Sequence, residues 1–219
     1  MTASFWVFAL SLVVFVASHA VPTSGGMRRV LIARLGLWGY LIVYSALSLA
    51  ALIWLIYAYI DAPYIEIWVA PAWWPPVAAY TMPVAFLLLS LGLPRRAPKS
   101  TGVFAITRQP AMWGLGLWAV LHMIGNGDAA ALLLFGSMAL LAGVGAINMD
   151  ARMRKSLGNG WDAYARQTSL LPFTALISGR NRLRFDDVNP VAVAMGCVVY
   201  TVVLWLHGPV IGISVLELL

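Results

Sequence analysis

The sequence predicts an all-α membrane protein, a six-helix transmembrane bundle with a cytoplasmic interfacial segment. Three observations lead to this fold class. Hydrophobic residues make up 62% of the chain and charged residues only 10%, whereas soluble domains carry about 25% charged residues. Six apolar runs alternate with short loops, and every Lys and Arg falls in three of those loops. Because no polar stretch is long enough for a separate soluble domain, residues 1–219 are expected to form a single membrane domain.

Each of the six apolar runs is expected to form a membrane-spanning helix, since about 20 apolar residues cross a bilayer core of ~30 Å. The runs cover residues 4–21, 35–60, 77–93, 110–124, 129–149 and 190–206. Gly and Pro residues mark most of their ends, as expected where helices stop. The Trp- and Pro-rich stretch 63–76 is typical of a loop at the membrane interface.

The basic residues predict the orientation of the chain. All fourteen Lys and Arg lie within 28–34, 95–108 and 152–184, which follow the first, third and fifth runs. Because cytoplasmic loops carry an excess of Lys and Arg, both termini are expected to face outward. The positive charge therefore indicates membrane lipid, and no nucleic acid, as the partner. Residues 150–184 mix basic with aromatic side chains and are expected to lie on the cytoplasmic surface, with Trp161, Tyr164 and Phe173 packed against the membrane domain.

The segment 107–128, TRQPAMWGLGLWAVLHMIGNGD, carries the strongest functional signal. Pro110 is expected in a first helical turn, where its missing N–H costs nothing. A histidine inside an apolar run, here His122, is expensive without a partner and is a functional-site candidate. Gly114 and Gly116 let another backbone or a flat ligand come close.

The chain contains three histidines, His19, His122 and His207. Two of them, His19 and His122, lie in apolar runs, and a pair of histidines in a helical bundle suggests haem, whose iron takes axial imidazoles. The alternative is that each histidine only bonds a neighbouring helix. His207 follows Trp205 at a helix end and is interpreted as an interfacial residue. Hydrolase triads, P-loops, zinc spacings and dinucleotide fingerprints are absent from the sequence.

Arg108 and Gln109 form a second candidate site. They precede a helix N-terminus, whose free N–H groups favour anions, and they are expected at the cytoplasmic edge. In this position they would hold a haem propionate or a phosphate. The alternative is that Arg108 anchors the helix to lipid headgroups.

Three parts of the sequence, in order, resemble the NnrU family of bacterial inner-membrane proteins: Ser18-His19 with Pro22, then ITRQPAMWGLGLWAVLHMIGNGD, then GNGWDAYARQTSLLPF. The family is linked by its name to denitrification and nitric-oxide metabolism. It is related to 15-cis-zeta-carotene isomerase, a membrane enzyme that uses haem b. The arrangement of an Arg-x-Pro helix before an aromatic-rich cytoplasmic segment is also similar to the isoprenylcysteine methyltransferase-like membrane fold.

The resemblance implies a haem b site at His19 and His122, the histidines of the family's first and fourth helices, or at His19 with the other position open or weakly held. Arg108, Gln109 and Gly114 are expected beside the cofactor. Gln109 stands where relatives often carry His between the Arg and the Pro. The implied function is redox or isomerase chemistry on a small or lipidic molecule in the bacterial inner membrane. Two alternatives remain open: a membrane methyltransferase-like enzyme with a nucleotide-type cofactor near Arg108 and 150–184, and a non-catalytic assembly protein with a respiratory complex as partner.

Overall fold

The computed structural model describes residues 3–23, 25–93, 100–184 and 187–218, and it is all-helical as predicted. Residues 94–99, which include most of the basic residues predicted in the loop 95–108, lie outside the described residues. The helices are α1 (Ala3–Thr23), α2 (Gly25–Ile60), α3 (Trp74–Gly92), α4 (Val103–Ile106), α5 (Pro110–Asn126), α6 (Ala129–Leu157), α7 (Trp161–Gln167), α8 (Thr174–Ile177) and α9 (Pro190–Ile211), with short 3-10 helices at Gly158–Gly160 and Val215–Leu218.

A helix covers each of the six predicted runs. Within the described residues, four helical stretches are long and apolar enough to cross a membrane: Gly26–Ile60, Trp74–Gly92, Ala129–Gln167 and Pro190–Ile211. The protein is therefore a membrane protein. α5 has 17 residues and is about 26 Å long at ~1.5 Å per residue, a little less than the ~30 Å bilayer core. The count of six spans stays a prediction.

The ends of the helices around His122 follow local sequence signals. α5 begins at Pro110, as predicted, and the left-handed Gly127 (φ 68°) ends it after Asn126. The next residue, Asp128, caps α6, because its Oδ1 accepts hydrogen bonds from the backbone N–H groups of Ala130 (2.9 Å) and Ala131 (3.0 Å). The GNGD sequence thus ends one helix and starts the next.

The chain forms two compact units. The first consists of Met1–Trp68 and Asp128–Leu134, and the second of Val69–Gly127 and Phe135–Leu219. In the first unit α1 packs on α2, and α2 breaks at Gly36, where φ is 70°. Residues 28–34, predicted as a loop, therefore lie on the helical segment before this break. That residues 1–219 form a single membrane domain stays a prediction.

In the second unit α3 packs against both α5 and α9. The Trp74 indole donates a hydrogen bond to the Leu121 carbonyl (3.1 Å), which ties α3 to α5. The Tyr200 hydroxyl donates to the Ala79 carbonyl (2.9 Å), which ties α9 to α3. These bonds position the helices that carry His122 and His207.

Candidate functional site

His122 is held in a fixed orientation on α5. Its Nδ1 lies 2.9 Å from the Trp118 carbonyl oxygen, and because a carbonyl only accepts, Nδ1 is the donor. Its ring is 4.8 Å from the rings of both Trp118 and Phe135, and nearly parallel to the latter at 25°. In a neutral imidazole this leaves Nε2 with the lone pair. Metal-binding histidines are oriented in the same way, by a hydrogen bond through the other ring nitrogen.

His207 is the neighbour of His122 that sequence reasoning missed. The two ring centroids are 6.3 Å apart, with an interplanar angle of 26°. The chain reverses after α9 at Gly212 (φ 86°), and this reversal brings the Ile213 carbonyl oxygen to 2.7 Å from Nδ1 of His207. The charge pattern could have indicated this contact. It predicts that the helix ends near His122 and His207 both face outward, on the same side of the membrane.

His19 lies in the first unit, near the end of α1. Its Nδ1 is 2.8 Å from the Phe15 carbonyl oxygen and 3.2 Å from the Ser18 hydroxyl. Its ring is 4.2 Å from that of Phe15 and 6.1 Å from that of Tyr44 on α2. His19 is therefore oriented through a carbonyl four residues earlier, as His122 is. Since the two histidines belong to different units, their binding to one iron stays a prediction.

Arg108 binds an anion that the chain itself supplies. Its Nε and Nη2 donate to the two carboxylate oxygens of Asp150 at 2.6 and 2.8 Å, and its Nη1 donates to the Thr168 carbonyl at 3.2 Å. The guanidinium also lies 5.1 Å from the ring of Trp161. Arg108 is only 9% exposed. These contacts give it a structural role in joining α6 and α7 to the start of α5, and its pairing with a propionate stays a prediction.

The residues beside Arg108 attach the segment 168–173 to α4 and α5. The Thr107 hydroxyl and the Trp113 indole both donate to the Leu170 carbonyl, at 2.6 and 2.9 Å. The backbone N–H of Arg108 donates to Ser169 and that of Phe173 to Ile106, both at 2.8 Å. Of the three aromatic residues predicted to pack against the membrane domain, Trp161 lies against Arg108, Tyr164 contacts Trp161, and Phe173 is 53% exposed. The cytoplasmic location of this segment stays a prediction.

Gln109 and Gly114 are both buried in helix packing. Gln109 is 2% exposed, and its backbone N–H donates to the Thr107 hydroxyl at 3.3 Å. A Cβ added at Gly114 would lie 2.6 Å from the Ala85 carbonyl oxygen and 2.9 Å from the Leu89 nitrogen. The open side of Gly114, where the sequence allowed either a backbone or a flat ligand, is filled by the backbone of α3.

A cleft of about 240 Å³ lies beside the Arg108–Asp150 pair. It is lined by Ile147, Asp150, Ala151, Arg154, Trp161 and Leu170. Small-molecule sites are commonly ~300–1,000 Å³, so this cleft is small for a nucleotide-type cofactor. Among the described residues no group of three or more His, Cys, Asp or Glu side chains is placed to hold a metal ion.

Comparison with known proteins assigns the chain to a family. The family model described as "NnrU protein" matches residues 7–215. The chain is also 31% identical over 112 residues to the chloroplastic 15-cis-zeta-carotene isomerase of Zea mays, and 32% identical over 112 residues to that of Arabidopsis thaliana. Each match covers 49% of this chain and 30% of the relative. No solved structure gives a significant match. The chain belongs to the NnrU family.

Proposed function

We propose that this protein binds haem b and performs isomerase-like chemistry on a lipidic molecule within a membrane. Membership of the NnrU family and similarity to relatives named as 15-cis-zeta-carotene isomerase support the isomerase-like function. The match covers 30% of the length of those relatives. The lipidic substrate is therefore a proposal for this chain, as is any partner protein. The family's name links it to nitric-oxide metabolism, and this suggests redox chemistry at the haem as an alternative to isomerase-like chemistry.

The observation that carries the haem proposal is the orientation of His122. Haem iron takes a neutral imidazole nitrogen as an axial ligand, and the hydrogen bond from Nδ1 to Trp118 keeps Nε2 as the basic nitrogen. His19 has the same type of bond, to Phe15, so its ring is oriented through a backbone carbonyl in the same way. Arg108 pairs with Asp150 and Gly114 lies against the backbone of α3. The proposed iron ligands are therefore the histidines, and contact of Arg108 or Gly114 with the haem stays a prediction.

Haem, when bound, would supply an iron centre able to accept or donate one electron or to act as a Lewis acid. The protein's part is to hold the ligand in a fixed orientation. Trp118 fixes the His122 tautomer through its carbonyl, and the rings of Trp118 and Phe135 pack against the imidazole. The aromatic rings beside His122 suit a lipidic substrate, which would reach the site from the bilayer.

The methyltransferase-like alternative has less support from the geometry. It needs a nucleotide-type cofactor near Arg108, but the guanidinium donates to Asp150 and Thr168. The neighbouring cleft of about 240 Å³ is below the ~300–1,000 Å³ of common ligand sites. We therefore favour the isomerase-like function.

Replacement of His122 should remove haem or convert it to a high-spin form. In protein expressed with ample haem and purified in detergent, His122→Ala eliminates the proposed ligand nitrogen, and His19→Ala should have the same effect if His19 is the second ligand. His207→Asn is the control and should retain the wild-type spectrum. Haem content and spin state are read from absorption and electron paramagnetic resonance spectra. Wild-type haem content and spin state in His122→Ala would exclude His122 as a ligand.

We further propose that the protein lies in the bacterial inner membrane with both termini on the periplasmic side. The support is the confinement of all fourteen Lys and Arg residues to three loops. A C-terminal alkaline phosphatase fusion should then be active, and a C-terminal green fluorescent protein fusion should be dark. The reverse result would refute this orientation.

A further inference from the structure

The pair formed by His122 and His207 has features of a metal site that the haem proposal does not use. The rings come from different helices, α5 and α9, and their centroids are 6.3 Å apart. Each ring donates through Nδ1 to a backbone carbonyl, at 2.9 Å for His122 and 2.7 Å for His207. Among the described residues, neither ring makes a hydrogen bond through Nε2. Both neutral imidazoles therefore retain the lone pair that a metal ion needs.

The separation of the rings matches that of two imidazoles on one ion. With metal–nitrogen bonds of ~2.0–2.1 Å, the centroids of two ligating imidazoles are about 4.5 Å apart when the nitrogens are at right angles at the metal and about 6.4 Å apart when they are opposite each other. The observed 6.3 Å lies at the upper end of this range, so the two nitrogens would bind on nearly opposite sides of the ion. Both residues are half-buried and lie near helix ends, where water can supply the other coordination positions. Imidazole nitrogen suits copper, nickel and zinc, and the affinity of nitrogen sites is highest for Cu²⁺.

We propose that His122 and His207 form a two-imidazole binding site for a divalent transition-metal ion, with Nε2 of each ring as ligand and water in the remaining positions. The turn after α9 is part of the site, because the Ile213 carbonyl fixes the tautomer of His207. The ion and a haem iron would compete for the same nitrogen of His122. The site itself does not depend on whether the protein binds haem.

The test is titration of Cu²⁺ into haem-free, full-length protein that carries no polyhistidine tag. We expect saturable binding of one ion and an electron paramagnetic resonance spectrum showing two coordinated nitrogens. His207→Asn keeps an N–H donor near the position of Nδ1, so it preserves the bond to Ile213 while removing Nε2. This variant should raise the Kd at least tenfold and leave one nitrogen coupled to the copper, since even second-shell changes weaken metal sites by about 10–100-fold.

His122→Ala should have the same effect, whereas His19→Ala, in the other unit, should bind Cu²⁺ like the wild type. Wild-type Kd and a two-nitrogen spectrum in His207→Asn would overturn the proposal, as would wild-type protein without saturable copper binding. The haem proposal is tested by a different measurement, the haem content of the purified protein. A protein that binds copper through this pair but never binds haem would leave the metal site intact and exclude the haem function.

Discussion

Arg108→Met is expected to destabilise the protein by about 3–5 kcal/mol, the usual cost of removing one partner of a buried ion pair. The side chains of Arg108 and Asp150 are only 11% and 15% exposed. The substitution leaves the Asp150 carboxylate without its two charge-assisted hydrogen bonds. It also removes one donor of the Thr168 carbonyl, which accepts from Arg180 as well. The loss is measured as the free energy of unfolding in mixed micelles titrated with sodium dodecyl sulfate.

Two controls separate the ion pair from a general effect of losing positive charge. Arg152→Met removes an exposed arginine of the same helix as Asp150 and should change stability by no more than about 0.5 kcal/mol. The double variant Arg108→Met/Asp150→Leu leaves no buried charge, and it should recover most of the stability lost in the single variant. A loss below about 1 kcal/mol in Arg108→Met, or a double variant as unstable as the single, would contradict the structural role of the pair.

Gly114→Ala is expected to destabilise the protein by about 1–3 kcal/mol, the typical cost of overpacking a close contact. The added Cβ would lie 2.6 Å from the Ala85 carbonyl oxygen and 2.9 Å from the Leu89 nitrogen. Both atoms belong to the backbone of α3, so relief requires the two helices to move apart. Unfolding in mixed micelles measures this loss as well.

Gly116→Ala is the matched control on the same helix, two residues away. Its added Cβ would meet its nearest neighbour, the Ala142 Cβ, at 3.8 Å, which is an ordinary van der Waals distance. Because Ala is favoured over Gly inside a helix by about 0.5–1 kcal/mol, this variant should be neutral or slightly stabilised. Equal effects at the two positions would show that α3 and α5 do not approach as closely at Gly114 as the structure indicates.

Most of the helices could be predicted because their signals are local. Pro110 fixes the first turn of α5, and Asn189 before Pro190 caps α9 with hydrogen bonds from Val191 and Ala192. The start of α2 was placed too late, since Arg28, Arg29 and Arg34 were interpreted as a loop. A helix satisfies its own backbone hydrogen bonds, so it extends beyond the apolar run, and the break at Gly36 separates the basic part from the apolar part.

The partners of the candidate residues could not be predicted, because they come from other helices. The sequence identified Arg108 but not Asp150, which reaches it only through the packing of α5 and α6. His207 was interpreted as interfacial because its neighbour Trp205 was the only context available. Its contact with His122 depends on the packing of α9 and on the turn that supplies the Ile213 carbonyl. Gly114 was predicted as a place of close approach, and the structure shows that the approaching group is α3.

Whether this NnrU-family protein binds haem b is tested most directly by the absorption spectrum of the detergent-purified wild-type protein. Protein expressed with ample haem should show a Soret band, and pyridine extraction should identify about one haem b per chain. Absence of Soret absorbance under these conditions would contradict the haem proposal.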